Sequence, residues 1–368
     1  MNPYPITFAG TPGGIRGSRK RASRVLGFSL IELMVGLVLA VILLLGLATF
    51  FVSSSRSLSE AERVSRQIES GRYASALLSE DVRHAGFYGE VSNVINLPTT
   101  PAPASAIPLP GALPNPCATA IASVHDAASV PIQGVDAPDA APSCVTDSLT
   151  GTDILVVRRA NTTTVTAAVA DAAANGYYTQ TGNCATTAPI FLIKQSGASP
   201  SNFSLTGKDC ATVMPVRQYH VFIYYIAPCS VATGSGGTCQ SSDAPLPTLK
   251  RVELVAGAMS NPVPLVEGIE NMQIEYGLDT SGDGSPDSFT AKPTTMTQWS
   301  QVVALRIHLL ARNSDITQGF TDTKTYTLGL KADGTANSVT PGGSFRRHNY
   351  TELVRVNNVS QRLEATFP

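Results

Sequence analysis

The chain has 368 residues, a net charge of −1 and only 14% charged residues. That balance, which falls to −6 once the basic leader described below is removed, argues against a nucleic-acid footprint, which wants a basic stripe, and the sequence carries none of the catalytic signatures HExxH, GxSxG and GxxxxGK(S/T). Ala, Ser, Thr, Pro and Gly are abundant, a composition common among exported proteins, and removing the leader and apolar run described below leaves about 315 residues, enough to bury a real core.

The first element is Phe28 to Val52: 25 residues with one charge, Glu32, and no proline. About 20 apolar residues span a bilayer core as a helix, and only a helix satisfies its own backbone groups in lipid. The stretch 28–52 therefore predicts a single membrane helix. Residues 1–27 carry Arg16, Arg19, Lys20, Arg21 and Arg24 and no acid. Such a basic leader stays on the cytoplasmic side while the rest crosses. A secretory signal peptide would place its small cleavage residue after the apolar run. Gly27 lies before it, so a cut there removes the leader, keeps the helix and takes the net charge from −1 to −6. A carboxylate at the bilayer centre costs roughly 2.5–3.5 kcal/mol, and less one turn from a helix end. Position alone leaves Glu32 open to two readings, a charge that snorkels to the interface or one that is paired.

Gly27-Phe28-Ser29-Leu30-Ile31-Glu32-Leu33-Met34-Val35 resembles the processing site of type IV pilins and type II secretion pseudopilins. The resemblance implies cleavage between Gly27 and Phe28 by a prepilin peptidase and N-methylation of Phe28. It also implies that Glu32 pairs with the Phe28 amine of a neighbouring subunit and sets the stagger of a filament.

Beyond Val52, the residues Leu58, Ala61, Val64, Ile68, Ser75, Leu78 and Val82 recur at three- and four-residue spacing, which predicts an amphipathic helix over 53–85 with this stripe on a sheet. Gly71 weakens its middle by about 1 kcal/mol relative to alanine. A helix over 28–85 is about 85 Å long, and Gly86 and Gly89 end it. Residues 86–150 are rich in Pro and Ala. They predict an irregular, surface-lying connection, with Pro131-Ile132-Gln133-Gly134 as a turn inside it.

Residues 151–368 predict a β-rich periplasmic head. Strands are expected at Asp153–Arg159, Pro189–Lys194, Tyr219–Ile226, Leu249–Val255, Met272–Tyr276, Val302–Arg312, Lys324–Leu330 and Tyr350–Val356. In Val302–Arg312, Val303, Leu305, Ile307 and Leu309 point one way and Arg306, His308 and Arg312 the other. No helix-length periodic run separates the strands, so the sheet is antiparallel and the class is α+β.

All six cysteines lie beyond the apolar run, an even count that suggests disulfides in an exported domain. Fifteen pairings are possible. Pairing of neighbours, Cys117–Cys144, Cys184–Cys210 and Cys229–Cys239, is the simplest. Closing a ten-residue loop contributes on the order of 3 kcal/mol.

The loop Asp279 to Asp287 places Asp279, Ser281, Asp283 and Asp287 at positions 1, 3, 5 and 9 of a calcium-type loop, with a glycine at 6 and the Ser285 carbonyl at 7. Position 12 is Thr290 rather than a bidentate glutamate. The site is therefore a partial, strand-flanked Ca²⁺ site, or simply an Asp/Gly/Ser turn; no cofactor is required. The five histidines are scattered, and His308 reads as a surface or satisfied residue. Arg158-Arg159 and Arg346-Arg347 read as solvated or carboxylate-paired, and Trp299 as a core or edge anchor.

Arg83–Gly89, Gly151–Arg159, Leu265–Met272, Tyr276–Asp279, Arg346-Arg347 and Leu353–Asn358 resemble, in order, segments of minor pilins of the PilW family. The resemblance implies a type IV pilin-like fold, with a long N-terminal helix packed on an antiparallel β-rich head. It implies a single-pass inner-membrane protein, then a pilus subunit that primes or caps type IV pilus assembly in twitching motility, adhesion or DNA uptake. Its partners would be other minor pilins, the major pilin, the prepilin peptidase and the inner-membrane assembly platform. The alternatives are a type II secretion minor pseudopilin and a pilus-tip adhesin.

Overall fold

The structure, a computed structural model, describes residues 27–91, 107–137, 139–173, 176–186, 190–195 and 203–364. The leader at 1–26 and the prolines Pro98, Pro101 and Pro103 lie outside the described residues. Helix α1 spans Leu30–His84, close to the predicted 28–85. It runs through two units, Met1–Leu58 and Ser59–Pro368. In the first unit every large hydrophobic residue from Phe28 to Val52 is exposed.

In the second unit α1 buries Gln67, Gly71, Ala74, Ser75, Leu78, Ser79, Asp81 and Val82. This corrects the predicted stripe. Ser75, Leu78 and Val82 face inward, but Ala61 and Ile68 are exposed, as is Leu58 in the first unit. Close approach, not apolarity, selects the contact face. Gln67 Nε2 donates to the Ala311 and Arg346 carbonyls at 2.8 and 3.1 Å. A Cβ on Gly71 would fall inside the Tyr350 ring. Gly71 thus lets the helix settle on the sheet.

The connection holds helix α2, Ile121–Ala127, and strand β1, Ile132–Val135. It is not a surface-lying coil: Ile107, Ala128, Val130 and Ile132 are buried. Pro131–Gly134 is not a turn, because β1 pairs antiparallel with β2, from Ile132 opposite Val157 to Val135 opposite Ile154. The proline stands just before the strand, where its missing N–H costs no ladder bond.

The head continues with β2 Ile154–Val165, α3 Ala167–Ala172, β3 Tyr177–Thr181, β4 Phe191–Gln195, β5 Val216–Ala227, β6 Thr248–Val255, β7 Ala258–Met259 and β8 Val263–Glu267. These strands and β1 form an eight-stranded sheet in which β5 pairs β2, β3 and β6. Then follow β9 Ile269–Leu278, β10 Ser288–Thr290, α4 Met296–Ser300, β11 Val302–Arg312, β12 Tyr326–Leu330, β13 Ala336–Val339, β14 Arg347–Arg355 and α5 Asn357–Glu364. A four-stranded sheet has the order β10-β9-β11-β14, and β12 pairs β13. Every pairing is antiparallel, so the long N-terminal helix is followed by the α+β head that the sequence predicts.

The inward residues of β11, Val303, Leu305, Ile307 and Leu309, join the main core. Its other face is also covered: Leu310 packs with Tyr326 and Leu328 of β12, and His308 is buried. Disulfides join Cys117–Cys144, Cys184–Cys210 and Cys229–Cys239. At the C-terminal end α5 returns to α1, where Asn358 Nδ2 donates to the Ala85 carbonyl at 3.1 Å and Arg362 to that of Gly86.

Candidate assembly interface

Gly27, Phe28 and Ser29 precede the helix in non-helical conformation, and Phe28 is 85% exposed. The Gly27–Phe28 peptide bond is therefore open to approach. Ser29 caps α1: its carbonyl accepts from the Glu32 and Leu33 amides at 3.0 and 3.1 Å. The Ser29 N–H in turn donates to Glu32 Oε2 at 3.0 Å. This is the returning half of a capping box, and it holds the Glu32 carboxylate at the helix start, where the helix dipole favours a negative charge. One described helix, α1, is long and apolar enough to cross a membrane, with none of its most apolar window buried.

The aspartate loop is tied to itself and to α5. Asp279 is buried. Its Oδ1 accepts from the Gly282 amide at 2.6 Å and its Oδ2 from the Gly284 amide at 2.8 Å. Asp287 Oδ2 accepts from the amides of Thr280 and Ser281, and these bonds with the Thr280 hydroxyl hold its pKa low. Asp283 accepts from Ser285 N. Gly284, at φ +82, lies where a Cβ would meet the Ser360 carbonyl, and its own carbonyl accepts from Ser360 and Arg355. The turn reading accounts for every one of these contacts. Among the described residues no group of three or more His, Cys, Asp or Glu side chains is arranged to hold a metal ion. Millimolar calcium is expected to leave the melting temperature of the protein unchanged. A rise that Asp283→Ala abolishes would restore the cation reading.

The basic pairs separate. Arg159 Nε donates to Asp81 Oδ1 at 2.8 Å, as expected of a carboxylate-paired arginine. Arg158 corrects the expectation. It is 1% exposed and donates to the Val130 carbonyl and Gln133 Oε1, both at 2.8 Å. Burial lowers its pKa. Val130 and Gln133 of the connection cover it, so the predicted surface-lying segment contributes a buried contact. Arg347 bonds Glu270 and Asp322, and Arg346 lies over the Phe320 ring. His308 is satisfied, facing Thr351 Oγ1 at 2.9 Å and Glu275 Oε2 at 3.1 Å. Trp299 is a core anchor, edge-on to Tyr276.

Asp153 is a residue the sequence did not single out. Its carboxylate accepts from the Ala137 amide at 3.0 Å and the Ile274 amide at 2.8 Å, and its N–H donates to the Met272 carbonyl. It thereby ties the β1–β2 edge to β9. Burial outweighs the two amide donors and pushes its pKa up from 3.8 to about 7. Between those values the folded chain holds a proton that the unfolded chain has lost, so stability falls as pH rises, by at most about 1.4 kcal/mol per pH unit, and is flat above them. Asp153→Asn is expected to gain on the wild type as pH rises from 5 to 8 in thermal melts. A difference independent of pH would mean that Asp153 titrates normally.

Sequence comparison bears on the head. Residues 223–358 match the family profile of type IV pilus-assembly protein W, PilW. This part of the head is similar to PilW. The matched region runs from within β5 through β14. It contains the Leu265–Met272, Tyr276–Asp279, Arg346-Arg347 and Leu353–Asn358 segments, and leaves the Gly27–Phe28 motif outside. No curated protein matches the chain. Among solved structures, a type IV-like pilin from Thermus thermophilus is similar at 13% identity, over 56% of this chain and 78% of that chain, with a TM-score of 0.23.

Proposed function

We propose that the protein is a minor pilin of the type IV pilus. It is inserted once in the inner membrane through residues 28–52, with its head in the periplasm. Prepilin peptidase cuts between Gly27 and Phe28, and Phe28 is N-methylated. The helix then leaves the bilayer to stack with those of other minor pilins and the major pilin on the assembly platform, where the subunit primes or caps the filament.

The observation that carries this reading is the exposed apolar run to Val52 that opens α1 at Glu32's own turn, in a chain whose head is PilW-like. Outside a bilayer or filament such a surface would be costly, at about 25 cal/mol per Å² of apolar area left in water. A strain lacking the protein is expected to lose surface pili, and the wild-type chain to restore them. Intact pili that no longer adhere would point to a tip adhesin, and intact pili with failed protein secretion to a pseudopilin. Mass spectrometry of the mature chain is expected to find N-methylated Phe28 first. A first residue beyond Val52 would make the helix a discarded export signal.

A further inference from the structure

Of the six cysteines Cys210 alone is exposed, and its disulfide partner Cys184 is 4% exposed. Cys210 stands in a tight turn. Its N–H donates to the Gly207 carbonyl and the Gly207 N–H to the Thr212 carbonyl, both at 2.9 Å. Thr206 and Val213 form an antiparallel bridge at the base. The Cys210 backbone lies at φ +53, in the left-handed region that favours glycine. A side-chain-bearing residue keeps that conformation only where its surroundings hold it, and the bond to Cys184 is one of those constraints.

The base of the turn is fixed without the disulfide. The Gln180 side chain of β3 accepts from the Leu205 N–H at 3.0 Å and donates to the Met214 carbonyl at 2.7 Å. The Asn183 N–H donates to the Thr206 carbonyl at 3.0 Å. The tip is held differently. Asp209 accepts from the Ala211 and Thr212 amides at 3.1 and 3.0 Å, bonds within the turn itself. Cys210 links the tip to the 184–186 segment, through Cys184 and through Thr186 Oγ1 at 3.8 Å from its sulfur. Opening this disulfide therefore frees the tip and leaves the sheet in place.

The two sulfurs have different surroundings. Exchange depends on which sulfur an incoming thiolate reaches and on how well the other leaves. Cys210 Sγ is the one within reach, so Cys184 Sγ leaves. The Thr186 hydroxyl lies 3.2 Å from Cys184 Sγ. A disulfide sulfur carries no proton, so the hydroxyl is the donor, and a hydrogen bond to a departing anion is a strong one. The other pairs are less open: Cys229 is 2% exposed, and Cys117, Cys144 and Cys239 are half-buried. The Lys250 ammonium lies 3.3 Å from Cys239 Sγ, but it is paired with Asp147.

We propose that Cys184–Cys210 is a thiol–disulfide exchange site that a dithiol reductant opens in the folded protein. A thiolate of the reductant bonds to Cys210 Sγ, the S–S bond breaks, and its electron pair leaves on Cys184 Sγ, which takes up a proton. The second thiol of the reductant, after losing its proton, attacks its own sulfur in the mixed disulfide. That step closes the reductant's disulfide and releases the Cys210 thiolate, which is protonated in turn. Two electrons and two protons pass from the dithiol to the pair. Exposed or strained disulfides are the labile ones. The inference rests on this turn alone and holds whether or not the chain works in a pilus.

The test treats the full chain in detergent with dithiothreitol, quenches with iodoacetamide and maps the alkylated peptides by mass spectrometry. Cys184 and Cys210 are expected to be alkylated at least about tenfold faster than the other four cysteines. The Asn183 and Leu205 amides should keep their hydrogen-exchange protection meanwhile. Thr186→Val, which removes the donor at the leaving sulfur, is expected to slow the reaction about threefold. With glutathione in place of dithiothreitol, the mixed disulfide is expected on Cys210. Joint Cys184→Ser and Cys210→Ser changes should abolish the fast phase and leave the other four cysteines at their slow rates. Equal rates for the three disulfides would overturn the proposal, as would opening of Cys184–Cys210 only in urea that unfolds the head. A glutathione adduct on Cys184 would overturn the order of attack.

Discussion

Glu32→Ala is expected to insert in the membrane as well as the wild type yet leave a deletion strain as bald as before. A carboxylate costs roughly 2.5–3.5 kcal/mol at mid-bilayer and less in the first turn, where Glu32 sits, and in either place its removal does not oppose insertion. The helix loses the carboxylate that accepts the Ser29 amide, a capping loss of about 1 kcal/mol. That is small against the burial of a long apolar helix. In the proposed filament the loss is larger. The Phe28 amine of a neighbouring subunit would be left unpaired in a low-dielectric core, and breaking one side of a buried pair costs about 3–5 kcal/mol. Glu32→Gln should fail in the same way, because it keeps the shape and removes the charge. Pilus counts by electron microscopy and immunoblots of inner-membrane fractions separate insertion from assembly. Normal piliation with either variant would sink the pairing role.

The second large effect lies in the head. Gly71→Leu is expected to destabilise the protein by about 1–3 kcal/mol, the range for overpacking a close contact. The added side chain would occupy the position of the Tyr350 ring, which stands edge-on against His348 at 4.8 Å and would have to be displaced. A leucine improves intrinsic helix propensity by less than about 1 kcal/mol, so the steric term decides the sign. Gly71→Leu in a Tyr350→Ala background should lose much less than in the wild type, because the ring it would displace is gone. That coupling is what a double-mutant cycle measures. Urea unfolding with and without Tyr350→Ala supplies the four values. Equal losses in both backgrounds would place the cost in the helix rather than at the contact.

The two residues differ in how legible they were. Glu32 announces itself, since a single acid in a 25-residue apolar run is visible without any fold. Gly71 was visible too, but only as a helix weakness. Its use depends on Tyr350, which lies 279 positions further along the sequence. Ile132 shows the same limit. The prolines before it signal irregularity, and the pairing that makes it a strand comes from Val157. The aspartate loop has the composition of a calcium loop. Which groups its carboxylates meet depends on the Gly282 and Gly284 amides and on where Ser360 docks.

Sequence alone therefore determined what hydropathy, period and local spacing control: the long N-terminal helix and the principal strands of the head, while for the cysteines it offered neighbour pairing only as the simplest of fifteen, which the structure then selected. The PilW likeness was equally legible there, carried by short segments in order. Only the tertiary structure decided which face of α1 is buried, that the connection joins the core, that Arg158 and Asp153 lie inside, and that β14 ends the four-stranded sheet. Each of these is fixed by atoms brought together from distant positions, and the cost of burying or leaving unpaired a polar group depends on those neighbours rather than on the residue itself.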